Sequence, residues 1–138
     1  MNQTFQLDVV TPEKLLISGR ATFITAPGKD GRFGVLAGHA PLVSLLAAGE
    51  LTLAMAEGTG EQSFALSGGY VEVGHDRVTV LVEQALEKGK IDPGAAIKQE
   101  REAEEKLAQL PQGGPEALVW IKRRDFAKTC QQIVRTAG

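Results

Sequence analysis

Hydrophobic periodicity changes once along this chain, and that change constrains the fold more than any other feature. Up to about Glu83, apolar residues recur at every second position, the repeat of a strand with one buried face. Phe5, Leu7 and Val9 alternate in "TFQLDVV", and Leu51, Leu53 and Met55 in "LTLAMA". "ATFITAP" sets Ala21, Phe23 and Thr25 on one face and Thr22, Ile24 and Ala26 on the other. "YVEVGHDRVTVLVE" holds two runs, Val71 with Val73 and Val78 with Val80 and Val82. The Gly74-His75-Asp76 stretch between them is short enough for a hairpin. After Lys90 the repeat becomes helical. Asp92 stands in an N-cap position, Pro93 opens the helix, and good helix formers run to Leu110. "PQGGP", Pro111 to Pro115, stops one helix and starts another. On the second, which runs to Ala137, Val119, Phe126, Cys130 and Ile133 share a face. The loop is short enough for the helices to fold back as an antiparallel pair.

Turn signals punctuate the strand half: Pro12, Gly19, Pro27-Gly28, Gly38, Gly49, Gly58 to Gly60, Gly68-Gly69 and Gly74. No crossover helix separates the runs, which argues against a parallel sheet. The expected class is therefore α+β: an antiparallel β-sandwich over residues 1–86, then a helical hairpin over 87–138. Apolar residues make up 43% of the 138, enough for a core, and aromatics only 5%, so that core is aliphatic. A net charge of −2 makes no case for nucleic acid. No run approaches the ~20 apolar residues of a membrane span. The N-terminus lacks the basic-then-apolar pattern of a secretory signal. The single Cys130 cannot form an internal disulfide and, on an apolar stripe, reads as a small buried hydrophobe. The expected location is the cytosol or a surface facing it.

Charge divides the two helices. Residues 91–110 carry Asp92, Glu100, Glu102, Glu104 and Glu105 against Lys98, Arg101 and Lys106. Residues 111–138 carry Lys122, Arg123, Arg124, Lys128 and Arg135 against Glu116 and Asp125. The plain reading is two solvated faces that attract weakly; the sharper one is a basic helix meant for an acidic partner. The first helix is thinly apolar: Ala96, Ala103, Leu107 and Leu110 lie near one face, and Glu100 interrupts it. At ~25 cal/mol per Å² an alanine seam contributes little, so the hairpin is expected to be held loosely.

Catalytic chemistry is not visible. His39 and His75 stand apart from other strong ligand residues, and no His-x-His, Cys-x-x-Cys or His-Glu-x-x-His spacing occurs. Neither a metal nor a cofactor is expected. Ser18, Ser44, Ser63 and Ser67 lack a nucleophile elbow. "GKDGRFG" lacks the ending of a phosphate loop and reads as a turn between strands. Gly68-Gly69 in "LSGGYVEV" is read as a hairpin turn rather than a phosphate nest, because no helix follows. In "GHAP", Gly38 permits an unusual backbone angle and Pro41 stiffens the chain before the next strand. His39 there is a surface contact or a hydrogen-bonding strut; catalysis would need a partner acid or base that the sequence does not supply.

Several segments match a known family in order. "LDVVTPEKLLISG", "GRFGVLAGHAPLVSLLAAGEL", "LSGGYVEV", "VTVLVEQA" and the terminal helix pair resemble the epsilon subunit of bacterial F-type ATP synthase. The resemblance spans the chain. It implies a sandwich of about ten strands that packs on the gamma subunit and the ring of c subunits in the central rotor stalk. It also implies a hairpin that either folds on the sandwich or extends along gamma into the catalytic head. There the basic second helix would meet acidic segments of the beta subunits, with alpha subunits close by, and block ATP hydrolysis. The subunit itself would be non-catalytic, peripheral on the cytoplasmic face of the bacterial inner membrane and not inserted into it.

By position, Arg32, Phe33, His39, Pro41 and Leu42 fall in the segment that this resemblance assigns to gamma and the c-ring. Lys122, Arg123, Arg124 and Lys128 fall in the inhibitory helix. Arg32 stands where many members have Glu, and Ala37 where many have Pro. Members that bind ATP resemble Ile/Leu-Asp-x-x-Arg-Ala, whereas here the residues are Ile91-Asp92-Pro93-Gly94-Ala95-Ala96. Asp92 remains as a weak nucleotide contact, but Ala95 replaces the arginine that would meet phosphate. Losing such a charge-assisted contact costs roughly 1.5–3 kcal/mol, so ATP binding is expected to be weak or absent. Two rival readings, a nucleotide sensor and a cupin-like metalloenzyme, are opposed by that missing arginine and by the isolated histidines.

Overall fold

Period-two patterning turns into nine strands in the computed structural model, which describes residues 3–58 and 60–135. Thr59, within the predicted Gly58–Gly60 turn, and residues 136 and 137 of the predicted second helix lie outside the described residues. The strands are β1 (Phe5–Val10), β2 (Leu15–Gly28), β3 (Gly31–Leu36), β4 (Leu42–Leu46) and β5 (Gly49–Met55), then β6 (Gln62–Leu66), β7 (Gly69–Val73), β8 (Arg77–Val82) and β9 (Ala85–Glu87). A 3-10 turn at Lys88–Lys90 leads to α1 (Pro93–Ala108) and α2 (Pro115–Arg135).

The strands form one continuous ladder, β1-β8-β7-β4-β2-β5-β6-β9, with β3 added on β2 and β1 also paired to β2. β2 explains how a single ladder makes two layers. It is 14 residues long; Leu15 to Ala21 pair with β1, and Phe23 to Gly28 pair with β3. One unbroken strand thus serves both layers, and the nine described strands agree with the roughly ten implied by family resemblance.

Two expectations about strands need correction. The faces of "ATFITAP" do not alternate simply: Ala21, Ile24 and Ala26 are all buried. The register steps from Ala21↔Met55 to Phe23↔Ala54, a bulge at Thr22 that swaps the faces where the strand bends between layers. Nor is the sheet antiparallel throughout. β1 and β8 run parallel, with Leu7 opposite Val78 and Val9 opposite Val80. A parallel pair needs a long crossover, and here the intervening strands supply it in place of a helix.

Between the layers lies the aliphatic core: Leu7, Val9, Ile24, Val35, Leu51, Leu53, Leu66, Val71, Val78 and Val80 are fully buried. The predicted hairpin at Gly74-His75-Asp76 is present, closed by the Gly74 N–H donating to the Arg77 carbonyl, with Asp76 at φ 69. The turn at Ser67-Gly68-Gly69 is not a hairpin. β6 pairs with β5 and β9, β7 with β4 and β8, so these residues carry the chain from one pairing set to another. Gly69 is required there: at φ +148, an added Cβ would lie 2.0 Å from the Leu81 carbonyl oxygen.

At the start of α1 the Asp92 carboxylate accepts from the Gly94 N–H at 3.0 Å and the Ala95 N–H at 3.3 Å. Pro111 and Gly113, at φ +81, shape the loop to α2. α2 lies against β6, where Phe64, Ala65 and Leu66 are buried in succession because the hairpin covers the outer face. A second small core joins Ala65, Ala96, Phe126, Cys130 and Ile133, with Leu86 and Ile91 at its edge. The predicted face of α2 therefore holds at Phe126, Cys130 and Ile133. Val119 is 48% exposed instead, because the first turns of α2 stand off the sandwich, and Ala117 is the buried residue at that end.

Candidate docking surfaces

The segment from Gly31 to Leu46 folds as β3, a tight turn and β4. Gly28, paired with Gly31, leaves room for the Phe33 ring; a Cβ on Gly28 would lie 2.9 Å from two of its carbons. Phe33 and Leu42 are half-buried and pack against the main core, so they anchor the segment from within. Arg32 is exposed, and its guanidinium Nη1 donates to the Glu50 carbonyl at 2.7 Å, holding a cation at the surface of β3. Gly38, at φ +84, and the His39 N–H, which donates to the Leu36 carbonyl at 3.1 Å, close the turn. The His39 ring sits with Nδ1 2.7 Å from the Ala40 carbonyl oxygen and donates to it in the tautomer protonated there. That contact is the hydrogen-bonding strut of the sequence reading, on a ring that is only half-buried. Pro41 is exposed beside it.

One feature of the surface escaped the sequence reading. Leu36, Val43, Leu45 and Tyr70 are large apolar residues exposed by 65%, 68%, 58% and 43%. Cross-strand partners share a face, so Leu45 opposite Tyr70, Tyr70 opposite Leu81 and Leu81 opposite Val10 make an apolar stripe across β4, β7, β8 and β1. Val43 adds to it on β4, and a shallow groove of about 290 Å³ runs beside Tyr70 and Leu81. The signal for it was "LVSLL", a strand apolar on both faces where a half-solvated sheet should alternate.

Three basic residues of α2, Arg123, Arg124 and Lys128, have partners within the fold. Arg123 places its guanidinium 4.5 Å from the Trp120 ring centre, and Lys106 reaches the same ring from α1 at 5.9 Å. Arg124 pairs with Asp125 at 3.1 Å. Lys128 Nζ lies 4.0 Å from Glu100 Oε2. Lys122 and Arg123 line a cleft of about 800 Å³ between α2 and the sandwich, facing Glu13, Glu83 and the Ser67–Gly69 turn. Three of the four predicted basic residues thus have local partners, Arg123 on Trp120, Arg124 on Asp125 and Lys128 on Glu100, while Lys122 shares the cleft with Arg123.

Glu100, read as an interruption of the α1 seam, is the residue that closes it. Its Oε1 accepts from Gln131 Nε2 at 2.6 Å. That hydrogen bond, aided by Glu104, Lys128 and Arg124, holds its carboxyl below the usual carboxylate range. Asp92 is committed to capping α1 and stands apart from the basic residues of α2 in its contacts. Cys130 is 2% exposed, and burial pushes its thiol up, in line with the reading of a small hydrophobe.

A family model described as "ATP synthase, Delta/Epsilon chain, beta-sandwich domain" matches residues 4–88. The chain is 39% identical over 127 residues to the ATP synthase epsilon chain of Magnetococcus marinus, covering 92% of this chain and 91% of the relative. It is 38% identical over 135 residues to the epsilon chain of Bradyrhizobium sp. strain BTAi1, covering 98% and 97%. Among solved structures, it resembles a chain in the Euglena gracilis mitochondrial ATP synthase assembly of OSCP, F1 and c-ring. That match has a TM-score of 0.74 at 22% identity and covers 94% of this chain and 80% of the other. A chain of the Tetrahymena thermophila mitochondrial ATP synthase central stalk and c-ring matches with a TM-score of 0.60 at 16% identity, covering 99% and 97%. At those identities the two structures speak for the fold.

Proposed function

The chain belongs to the epsilon-chain family of ATP synthase, and from that premise we propose how it serves the complex. The sandwich, residues 1–86, docks on the gamma subunit and the c-subunit ring and couples the catalytic head to rotation. The hairpin, residues 87–138, is a mobile regulator that leaves the sandwich, reaches beta and alpha subunits, and inhibits ATP hydrolysis. The protein does no chemistry of its own. It sits peripherally at the cytoplasmic face of the bacterial inner membrane as part of the enzyme.

The observation that carries the docking half is the apolar stripe Leu45–Tyr70–Leu81–Val10. An exposed apolar face this broad on a folded sheet marks a surface made to be covered. Val43, Leu45 and Tyr70 are exposed enough that covering them contributes on the order of 1 kcal/mol or more each. Arg32, Phe33, His39, Pro41 and Leu42 form the neighbouring edge: Arg32 offers a charge to the ring, Phe33 and Leu42 stiffen the strand ends, and His39 and Pro41 set the turn. Asp92 is left at most a weak contact to nucleotide, since its carboxylate caps a helix. The inhibitory half rests on the cation-rich α2 and on the thin alanine seam that holds it.

The test is reconstitution with the remaining subunits of the complex. Leu45→Glu is expected to keep the fold, because the side chain points out, and to lose co-purification with gamma. Replacing Lys122, Arg123 and Arg124 with alanine is expected to leave assembly intact and raise ATP hydrolysis. Normal assembly of Leu45→Glu would refute the docking surface, and unchanged hydrolysis in the triple variant would refute the inhibitory role.

A further inference from the structure

The two helices meet along residues that bury little. Ala96 and Ala103 of α1 face Ala117 and Ala127 of α2, and all four are buried. Phe126 and Ile133, with the smaller Cys130, tie α2 to β6, whereas α1 contributes only Ala96 to that cluster. The place of α1 therefore depends on what else crosses the seam. Glu100 lies one turn from Ala96 on one side and from Ala103 on the other, in the middle of the contact face. Its side chain is 24% exposed. One oxygen accepts from Gln131 Nε2 at 2.6 Å, and the other faces Lys128 Nζ at 4.0 Å. The same Gln131 amide also lies 3.5 Å from the Ala96 carbonyl and 3.3 Å from the Ala127 carbonyl, so it bridges both backbones.

We propose that Glu100 is a built-in stand-in for the acidic partner of α2: it clasps the folded hairpin through Gln131 and Lys128, and so sets the balance between folded and extended states. This rests on the reading that the hairpin extends to reach acidic segments of neighbouring subunits. Lys128, which would be offered to such a segment, is held by Glu100 until the hairpin opens. The clasp is polar and near the surface, so it is strong enough to choose between states and weak enough to be exchanged for an equivalent carboxylate elsewhere.

Cys130 provides the readout, because it lies in the cluster that Ala96 of α1 closes and is the chain's single thiol. Its modification by a thiol reagent at fixed pH measures opening in the full-length chain. Glu100→Ala is expected to speed labelling about tenfold, the worth of one hydrogen bond to a charged group near the surface. Alanine is the better helix former, so faster labelling would not reflect loss of α1 itself. Glu100→Gln keeps an acceptor for Gln131 and is expected to fall between. Gln131→Ala should match Glu100→Ala, and the double variant should add little. Wild-type labelling rates in Glu100→Ala, or full additivity in the double variant, would overturn the clasp. In the assembled complex Glu100→Ala is expected to lower ATP hydrolysis by freeing the hairpin. Faster labelling with unchanged hydrolysis would leave the clasp standing and refute the inhibitory reading instead.

Discussion

Phe126 is the largest side chain binding the hairpin to the sandwich, and its removal tests whether the two are separable. It is 8% exposed and packs with Ala65, Ala96, Cys130, Ile133, Leu86 and Ile91. Truncating a buried phenylalanine costs about 3–5 kcal/mol in a rigid core. Here two neighbours are alanines and the pocket is formed between two packed elements, so α2 can settle toward β6 and recover part of the loss. The expected cost of Phe126→Ala is therefore about 3 kcal/mol, at the low end. The main core behind β6 does not contain Phe126. The cost should thus fall on undocking of the hairpin, and each 1.4 kcal/mol is a factor of ten, so undocking becomes more frequent by about a hundredfold. Hydrogen exchange read by mass spectrometry is the assay. Amides of α1 and α2 should exchange about a hundredfold faster, while β1, β7 and β8 keep wild-type protection. Equal loss of protection in the strands would refute the reasoning, because sandwich and hairpin would then open as one unit.

Four further outcomes follow from named contacts. Gly69→Ala places a Cβ 2.0 Å from the Leu81 carbonyl oxygen and 2.9 Å from Val82 Cα, both backbone atoms of the partner strand, at φ +148. A loss of at least about 3 kcal/mol is expected, and an unchanged urea midpoint would contradict it. The Ser18 hydroxyl, with Gln6 and Arg77, holds the Asp8 carboxyl below its ordinary value against some desolvation, and Arg20 does the same for Asp76. A lowered folded value means stability that is present above the unfolded value near pH 4 and lost as pH falls through the folded one. Thermal unfolding between about pH 4 and pH 2 should steepen accordingly, and Asp8→Asn should flatten that slope; an identical slope would remove Asp8 from the account. Titration calorimetry of the full chain with ATP should give weak or no binding, since Asp92 is spent on the Gly94 and Ala95 amides and Ala95 carries no charge; a micromolar dissociation constant would refute this. Asp92→Ala should instead cost about 1 kcal/mol of helix stability.

What could be read from the sequence was the repeat, and what could not was anything set by a neighbour. Phe5, Leu7 and Val9, Val71 and Val73, and Val78, Val80 and Val82 are buried as their alternation requires, because the pleat alone sends them to one side. Asp92 caps α1 because its preference for that position is local. The swap of faces at Thr22 was not legible, since a bulge is defined by the register of the strand opposite. The same holds for the turn at Gly68-Gly69. Two glycines announce an unusual backbone there but not which strands the turn joins. Val119 kept the helical spacing and still came out exposed, because a helix face is buried only where the surface beneath it continues.

The two functional surfaces differ in the same way. The outer stripe through Leu45 and Tyr70 left a trace in "LVSLL", whose second apolar face has no cover among the described residues. Glu100 left the opposite trace, a charge where the seam should be apolar. A charge on a buried face reads as a fault until the residue across from it is known, and Gln131 lies 31 positions away. Under the proposed function, both breaches of pattern fall where the protein would meet something that changes: a partner in one case, the other half of its own hairpin in the other. A seam of buried alanines closed by one carboxylate buries less apolar surface than a seam of leucines would. The proposed regulatory role calls for such a seam, since leucines, at ~1.5–3 kcal/mol per buried side chain, would lock the hairpin shut.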